Sequence, residues 1–297
     1  MEVVVEPDRR SWEEAAQHSA FWPLQQDWDY GLAVRWQAQP VLRLLARDAD
    51  GPVACLQLVG RRWFGVAELW LGLRGPVALE GFSAVPAQLL AALPHGLLRA
   101  VLLAPEMPDD VATHGSWLGR RRVYTGHSCA IVDLASYGRG SLRQKWRNRL
   151  NAAQARGLRI EFADRGKWLD WVVAQYERVR AAKGFAGPSA AFVAQLARLK
   201  SPRQTLAAIA IDGREPVAGA LFLRHGPDAS YYVAASDAQG RAANAANLVL
   251  WQGLMALKEQ GVRKVDLGTI DTDKSPGLAR FKLGAGAQPV TLAGTYL

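Results

Sequence analysis

The order of strand-type and helix-type segments in the second half of the chain is the feature that most restricts its fold. Hydrophobic periodicity and turn residues predict two helices, a β-hairpin, a third strand, a loop, a helix, a strand, a helix start and a last strand. The predicted segments are helices 167–182 and 191–200, strands 205–211, 217–223 and 230–235, helix 245–259 and strand 263–267. Strands mixed with helices in this way build an α+β layer.

The first half of the chain repeats this order loosely. Ser11, followed by Trp and two Glu residues, predicts the N-cap of a helix over 12–18. An Asp-Gly pair within 48–52 predicts a hairpin between the first two strands. The predicted segments are strands 41–47, 53–59 and 66–71, a helix over 84–93 and a strand over 98–103. The two halves share no visible sequence identity, so this repeat rests on element order alone.

The length of 297 residues fits two domains of about 150 residues each. A Gly/Ser-rich link over 136–141 separates two segments of different character. We therefore predict a first domain over 1–138, completed by residues 288–297, and a second domain over 139–287. Hydrophobic residues make up 49% of the chain and charged residues 21%, which is typical of a globular protein and excludes a disordered or fibrous one.

The cysteines and histidines give no metal-binding pattern. Cys55 and Cys129 lie in separate strand-like apolar runs, and we expect both to be buried thiols. The five histidines are scattered without ligand spacing, so no metal site is predicted. No apolar run reaches the roughly 18 residues of a membrane span, and the first residues do not resemble a secretion signal. These observations predict a cytoplasmic protein.

The segment 141–157 is the most basic part of a chain whose net charge is +9. A net positive charge favours contact with polyanions such as RNA, anionic membrane surfaces or phosphate-bearing substrates. Ser141 and Gly157 predict the ends of a helix, and an apolar stripe runs along it. Five cations flank the stripe without an acidic partner on the segment, and like charges one turn apart repel each other. The segment is either a solvated amphipathic helix or a surface that a polyanion neutralises. The stripe comprises Leu142, Trp146, Leu150 and Ala153, and the cations are Arg143, Lys145, Arg147, Arg149 and Arg156.

Two further segments carry recognisable patterns. The loop 239–247 is rich in small residues and precedes a helix, where free backbone amides attract anions. It also fits a plain connection in which Asn244 or Asn247 is the N-cap. The final quarter of the chain reads Asp266-Leu267-Gly268, then Pro276-Gly277, then Phe281-Lys282-Leu283-Gly284.

These patterns together resemble the Fem-type aminoacyl transferases, a family within the GNAT acyltransferase superfamily. The Asp-Leu-Gly, Pro-Gly and Phe-Lys-x-Gly elements are similar to the family signature, with Thr269 in place of a usual second Gly. Further resemblances cover nearly the whole chain, and without a coiled-coil arm it is most similar to the shorter bacterial members. They lie in Phe21 to Trp28, Arg74-Gly-Pro-Val77, the basic segment and Ser230 to Ser236. The resemblance implies two tandem GNAT-like domains, each a mixed, mostly antiparallel sheet flanked by helices.

The resemblance also implies a reaction. Members of the family move an amino acid from aminoacyl-tRNA onto the amine of a peptidoglycan precursor, without a covalent enzyme intermediate and without a cofactor. The lysine of the Phe-Lys motif is assigned to the oxyanion of the ester carbonyl, a role that passes to Lys282. Substrate-binding residues implied by the same comparison are Phe281, Tyr231, Tyr232, Arg143, Arg147, Arg149 and Asn244.

Three functions remain open at this stage. The first is aminoacyl transfer from aminoacyl-tRNA to an amine acceptor such as a cell-wall precursor. The second is acyl transfer from acetyl-CoA or another acyl-CoA as cosubstrate on the same fold, although the loop 239–244 lacks the second glycine of acetyl-CoA users. The third is a non-catalytic protein that binds RNA or a partner, since a fold does not establish a function. The oligomeric state is not predicted.

Overall fold

A computed structural model describes residues 1–63, 67–80, 85–109 and 116–297 of the protein. The chain divides into two compact units, one formed by residues 1–128 with 290–297 and the other by 129–289. The division lies ten residues before the predicted domain boundary. Strand Ser128–Asp133, which the prediction assigned to the first domain, belongs to the sheet of the second unit.

The first unit begins with a short strand and two helices and continues as a strand meander. Residues 66 and 84, which begin the predicted third strand and the predicted helix, lie outside the described residues. The elements are β1 (Glu2–Val5), α1 (Arg9–Gln17), α2 (Trp28–Trp36), β2 (Val41–Arg47), β3 (Pro52–Trp63), β4 (Ala67–Gly72), β5 (Val77–Ala78), α3 (Ala87–Ala91), β6 (Arg99–Leu103), β7 (Ser116–Trp117) and β8 (Arg120–Tyr124).

The second unit follows the order predicted from the sequence, with three additional elements: a strand at its start, a strand before the predicted helix 167–182 and a short helix before the predicted helix 245–259. Its elements are β9 (Ser128–Asp133), α4 (Gln144–Ala155), β10 (Arg159–Ala163), α5 (Lys167–Lys183), α6 (Ala190–Leu199), β11 (Thr205–Asp212), β12 (Glu215–His225), β13 (Asp228–Ser236), α7 (Ala238–Ala242), α8 (Ala245–Glu259), β14 (Lys264–Ile270), α9 (Pro276–Gly284) and β15 (Gln288–Thr291). The chain ends in β16 (Thr295–Tyr296), which returns to the first sheet.

Each unit contains one mixed sheet with a parallel pair. The first sheet has the order β1-β2-β3-β4-β6-β16-β8-β7, with β5 beside β3, and β4 is parallel to β6. The second has the order β10-β11-β12-β13-β14-β9-β15, and β13 is parallel to β14. In both units a helix lies in the connection between the parallel strands, which agrees with the loose repeat expected from element order. The predicted fold class, α+β with two mixed sheets flanked by helices, is confirmed.

Helices cover both faces of the second sheet. Ala218, Ala220 and Phe222 of β12 point into a core shared with α4 and α8. Gly219, between them, faces α5, where an added Cβ would lie 2.7 Å from Cγ2 of Val172. Alternation of side chains along β12 thus separates two packed layers. The small residues Ala218, Gly219 and Ala220 let helices approach this central strand closely.

Three local predictions are wrong. Helix α1 begins earlier than predicted, because Asp8 and not Ser11 is its N-cap, and the Asp8 carboxylate accepts a hydrogen bond from the Ser11 amide. Ser141 is not the N-cap of α4, since it ends a 3₁₀ turn and its hydroxyl accepts from the Gly138 amide. The predicted loop 236–244 contains helix α7, whose N-cap is Asp237.

Candidate active site

The parallel strands β13 and β14 separate shortly after they begin. Their register pairs Ala229 with Val265 and Ser230 with Asp266. β13 then continues to Ser236 and β14 to Ile270 without further pairing between them. The separation opens the middle of the sheet beside the end of β14.

The end of β14 holds a buried lysine. Lys282 on α9 donates a hydrogen bond of 2.8 Å from Nζ to the carbonyl oxygen of Thr269. Gly268 has a φ of +85°, and a Cβ there would lie 3.3 Å from the same Nζ. The Asp266 carboxylate accepts a 2.6 Å bond from the Gly268 amide, so it fixes the end of the strand. The Asp-Leu-Gly element therefore shapes the site in which the Lys282 ammonium lies.

Burial alters the acidity of this lysine. The side chain of Lys282 is only 6% exposed, and loss of hydration lowers its pKa below the ordinary value of 10.5. Asp266 and Cys129 act in the opposite direction, and desolvation is the larger effect. An ammonium group carries three donors, and Thr269 uses one of them. A reacting oxygen at this position would meet a preformed, poorly hydrated donor.

Helices α4 and α9 meet beside the lysine. The rings of Trp146 and Phe281 lie 6.0 Å apart, and the Arg143 amide donates a 3.0 Å bond to the carbonyl of Gly284. An added Cβ at Gly284 would lie 2.9 Å from Cδ1 of Trp146, so the missing side chain permits this close approach. Phe281 therefore packs against α4 through Trp146 and is partly buried. The predicted apolar stripe of α4, Leu142, Trp146, Leu150 and Ala153, is buried.

The outer face of α4 carries cations without partners. Arg143, Lys145 and Arg149 are exposed and make no side-chain hydrogen bond or ion pair within the part of the chain that the structure describes. Arg147 is half-buried and its guanidinium donates to the side-chain oxygen of Gln144. Arg156 differs, because it lies 3.5 Å from the carboxylate of Asp212. The described acidic side chains therefore leave most of the positive charge on the outer face of α4 unpaired.

The two tyrosines of β13 lie at an irregularity of the strand. Tyr231 packs against Phe222 with ring centroids 5.4 Å apart, and burial raises the pKa of its phenol. The register with β12 shifts between Leu221 and Phe222, where Phe222 pairs with Tyr231 and Leu221 with Val233. Tyr232 is the extra residue of this bulge. Tyr231 thus faces the core, and Tyr232 lies where β13 starts to diverge from β14.

The N-terminus of α8 holds several polar groups without partners. Asn244 is its N-cap, adopts a left-handed φ of +53° and makes no side-chain capping bond. Nδ2 of Asn247, a residue that is 5% exposed, and Oγ of Ser236 are buried and make no hydrogen bond with any described residue. The N-terminus of α7, by contrast, has a side-chain cap, because the Asp237 carboxylate accepts a hydrogen bond from the Gly240 amide at 2.7 Å. The polar groups available to a ligand are therefore those of α8 and the end of β13.

The structure joins some of the predicted site residues and leaves others apart. Contacts link Lys282, Phe281 and Arg143 through α4 and α9. Tyr232 and Asn244 lie on β13 and at the start of α8, outside the two helices that these contacts join. Ser236, Asn247 and Thr269 were missed. Asn247 was predicted only as a possible N-cap. Thr269 binds Lys282 through its backbone carbonyl, so the type of residue at this position gives no signal of that contact.

The described residues hold neither a cluster of metal ligands nor a helix that could span a membrane. Within the described residues, no group of three or more His, Cys, Asp or Glu side chains could hold a metal ion. Cys55 and Cys129 are both buried, as expected, and they form no disulfide within the described residues. Of the helices in the described ranges, none is long and apolar enough to cross a membrane.

Comparisons with known proteins identify the fold. Residues 140–283 match the family model of the acetyltransferase (GNAT) domain. A search of curated proteins finds no match. Among solved structures, FemX superposes with a TM-score of 0.81 at 13% identity, over 100% of this chain and 96% of that one. L-PGS from Bacillus licheniformis gives 0.58 at 15% identity, over 98% and 91%. A tandem GNAT protein from the clavulanic acid biosynthesis pathway gives 0.53 at 10% identity, over 99% and 98%.

These likenesses confirm the fold that the sequence resemblance implied. At 10–15% identity the solved structures speak for the fold alone, and FemX matches it across the full chain. The GNAT family model covers α4 to α9, the elements that carry the buried lysine. The match to the acetyltransferase (GNAT) domain supports an acyltransferase, the broader part of the class of enzyme predicted from the sequence.

Proposed function

We propose that this protein transfers an aminoacyl group from an activated ester, aminoacyl-tRNA, to the amine of an acceptor such as a cell-wall precursor. The observation that carries the proposal is the buried Lys282 ammonium beside the opening between β13 and β14. The amine nitrogen attacks the ester carbonyl, the new C–N bond forms and the C–O bond to the ribose breaks. The amine loses a proton, and the released ribose hydroxyl gains one.

Lys282 stabilises the charge that develops on the carbonyl oxygen. Thr269 holds Nζ in place with one hydrogen bond, and the other N–H groups remain to donate to the oxyanion. A fixed donor in a desolvated site stabilises such an oxyanion more strongly than water does, and loss of one donor typically costs about 10²–10³ in rate. An ester donor is already activated, so the protein needs no nucleophile of its own.

The α4 cations supply the contact with the RNA part of the donor. Arg143, Lys145 and Arg149 are exposed on a helix that packs on α9 through Trp146 and Phe281. Their guanidinium and ammonium groups suit phosphate oxygens. A polyanion bound there would remove the repulsion between neighbouring cations and would lie on the helix next to the one that carries Lys282.

A second candidate is transfer from acyl-CoA, and the N-terminus of α8 favours it. Asn247 Nδ2 and Ser236 Oγ are buried without partners, and Asn244 leaves the first amides of α8 without a side-chain cap. A helix N-terminus with unpaired donors suits a phosphate group. The GNAT family match covers this element as well. The catalytic role of Lys282 is the same with a thioester donor.

Thermal unfolding in the presence of each donor separates the two candidates. A ligand that binds the native state alone raises the unfolding midpoint, by an amount that grows with its concentration relative to Kd. We expect total aminoacyl-tRNA to raise the midpoint more than deacylated tRNA, and acetyl-CoA to have no effect. Stabilisation by acetyl-CoA without any by tRNA would instead support the second candidate.

A further inference from the structure

A cleft lies between α5 and α6, on helices that hold none of the proposed catalytic residues. Its volume is about 830 Å³, within the range of pockets that hold small ligands. The first turn of α5 lies near the end of α6, because the guanidinium of Arg165 donates to the carbonyl of Lys200. The lining residues are Arg165, Gly166, Leu169, Asp170, Val173, Ala174, Glu177, Arg178, Ala181, Ala190, Ala191, Ala194 and Arg198.

The floor of the cleft is apolar. Leu169 and Val173 are buried beneath it, and Ala174 and Ala181 are exposed along α5 at helical spacing. Alanines of α6 form the opposite wall. The distance along α5 from Gly166 to Ala181 is about 22 Å at 1.5 Å per residue, which is room for a long acyl chain.

The rim of the cleft is positive. Arg178 and Arg198 are exposed and make no hydrogen bond or ion pair with any described residue. The carboxylate of Glu177 is already bound by Arg180, at 2.8 and 2.5 Å. Asp170, the other acid of the lining, lies in the first turn of α5, where it offsets the partial positive charge of the helix.

Two arginines lie together at one end of the cleft. Arg165 and Arg198 lie at the end where α5 begins and α6 finishes, and Asp170 lies in the first turn of α5 at the same end. Arg178, which precedes Ala181 by three residues, lies toward the other end with the alanines near the connecting loop. An anionic group at the first end would face two guanidinium groups beside one carboxylate, and an apolar chain would cover the alanines. Such burial would gain about 25 cal/mol for each Å² of apolar surface removed from water.

We propose that the α5–α6 cleft binds an amphiphile with a phosphate headgroup and a long apolar tail. The headgroup lies at Arg165 and Arg198, and the tail runs toward Ala181. The inference is independent of the transfer reaction, because binding needs neither the donor nor Lys282.

Calorimetric titration with dodecyl phosphate below its micelle concentration tests the proposal. We expect dodecyl phosphate to bind the full chain, dodecyltrimethylammonium to bind at least tenfold more weakly and inorganic phosphate to give no signal. Arg198→Glu removes a headgroup contact and Ala174→Trp fills the groove from an exposed position. Each should weaken binding at least tenfold. Arg214→Glu, an exposed arginine outside the cleft, is the matched control and should leave affinity within about twofold.

Several results would overturn the proposal. They are no binding of dodecyl phosphate, equal binding of the cationic amphiphile, or unchanged affinity in Ala174→Trp with an unfolding midpoint like that of the wild type. Co-sedimentation with phosphatidylglycerol vesicles, absent with phosphatidylcholine and lost in Ala174→Trp, would identify a membrane lipid as the source of the headgroup. Binding of dodecyl phosphate without co-sedimentation would identify a soluble amphiphile.

Discussion

Lys282 Nζ lies 2.8 Å from the carbonyl oxygen of Thr269, and this hydrogen bond joins α9 to the end of β14. The position of the ammonium therefore depends on the backbone of a neighbouring strand. Gly268, next to Thr269, leaves room for it.

The lowered pKa of Lys282 predicts an alkaline loss of activity. The ammonium loses its proton in the folded protein below the ordinary value of 10.5, so transfer that depends on its charge should fall as pH rises through that lowered pKa. A pH–rate profile of kcat measures this. Lys282→Arg keeps a charge at all these pH values, so its residual activity should lose the alkaline fall.

The free energy of unfolding should depend on the same lysine, and it should rise over the pH range in which activity falls. Between the lowered pKa and 10.5 the unfolded chain binds the Lys282 proton and the folded chain does not, so this group makes the free energy of unfolding rise with pH. Lys282→Met should lack that rise in denaturant titrations. Identical pH dependence of stability in wild type and Lys282→Met would show that the pKa is not lowered.

Gly268→Ala tests the shape of the lysine site. Its φ of +85° disfavours a Cβ, and the added methyl would lie 3.3 Å from Lys282 Nζ. Gly213→Ala is a matched control, because Gly213 has a φ of +63° and open space around it. Both variants should lose about 1–2 kcal/mol of stability. Gly268→Ala alone should also lose activity, and equal kcat in the two variants would argue against the site.

Gly284→Ala tests the contact between α4 and α9. The new Cβ would lie 2.9 Å from Trp146, which is buried and cannot move aside without cost. Overpacking of this kind typically costs about 1–3 kcal/mol. Gly277→Ala, in the same helix with open space around it, should instead gain up to about 1 kcal/mol. Urea unfolding compares the two, and equal stabilities would show that α9 can shift away from Trp146.

Charge reversal on α4 tests the RNA contact. Arg143→Glu with Arg149→Glu should weaken tRNA binding, and the slope of log affinity against log salt should become shallower because fewer counterions are released. Arg203→Glu with Arg214→Glu, two exposed arginines elsewhere in the second unit, are the control pair. A defect that does not change with salt would indicate that the mutations disturb α4 itself.

The sequence predicted most of the second unit because its strands and helices follow clear periodicity. Helix 245–259 and strand 205–211 appear within one residue of their expected bounds. Strand β10 was missed, because Arg159 and Glu161 interrupt its three apolar residues and leave no continuous apolar run. Helix α7 was also missed, since its small residues between Asp237 and Asn244 fit a loop equally well.

The sequence predicts the site only where the types of the side chains define it. Lys282 stands out through the motif around it, and the buried stripe of α4 through its spacing. The carbonyl of Thr269, the bulge at Tyr232 and the early end of the β13–β14 pairing are backbone features that depend on tertiary structure. The order of side chains in the sequence gives no sign of these backbone features.

Single-turnover transfer from total aminoacyl-tRNA to a cell-wall precursor with a free amine tests the central claim most directly. The wild-type protein should form the amide product, and Lys282→Met should form it at least about a hundredfold more slowly, with donor affinity nearly unchanged. The midpoint of thermal unfolding should show that the variant is folded. Equal rates in wild type and folded Lys282→Met, or transfer from acyl-CoA but none from aminoacyl-tRNA, would contradict the account.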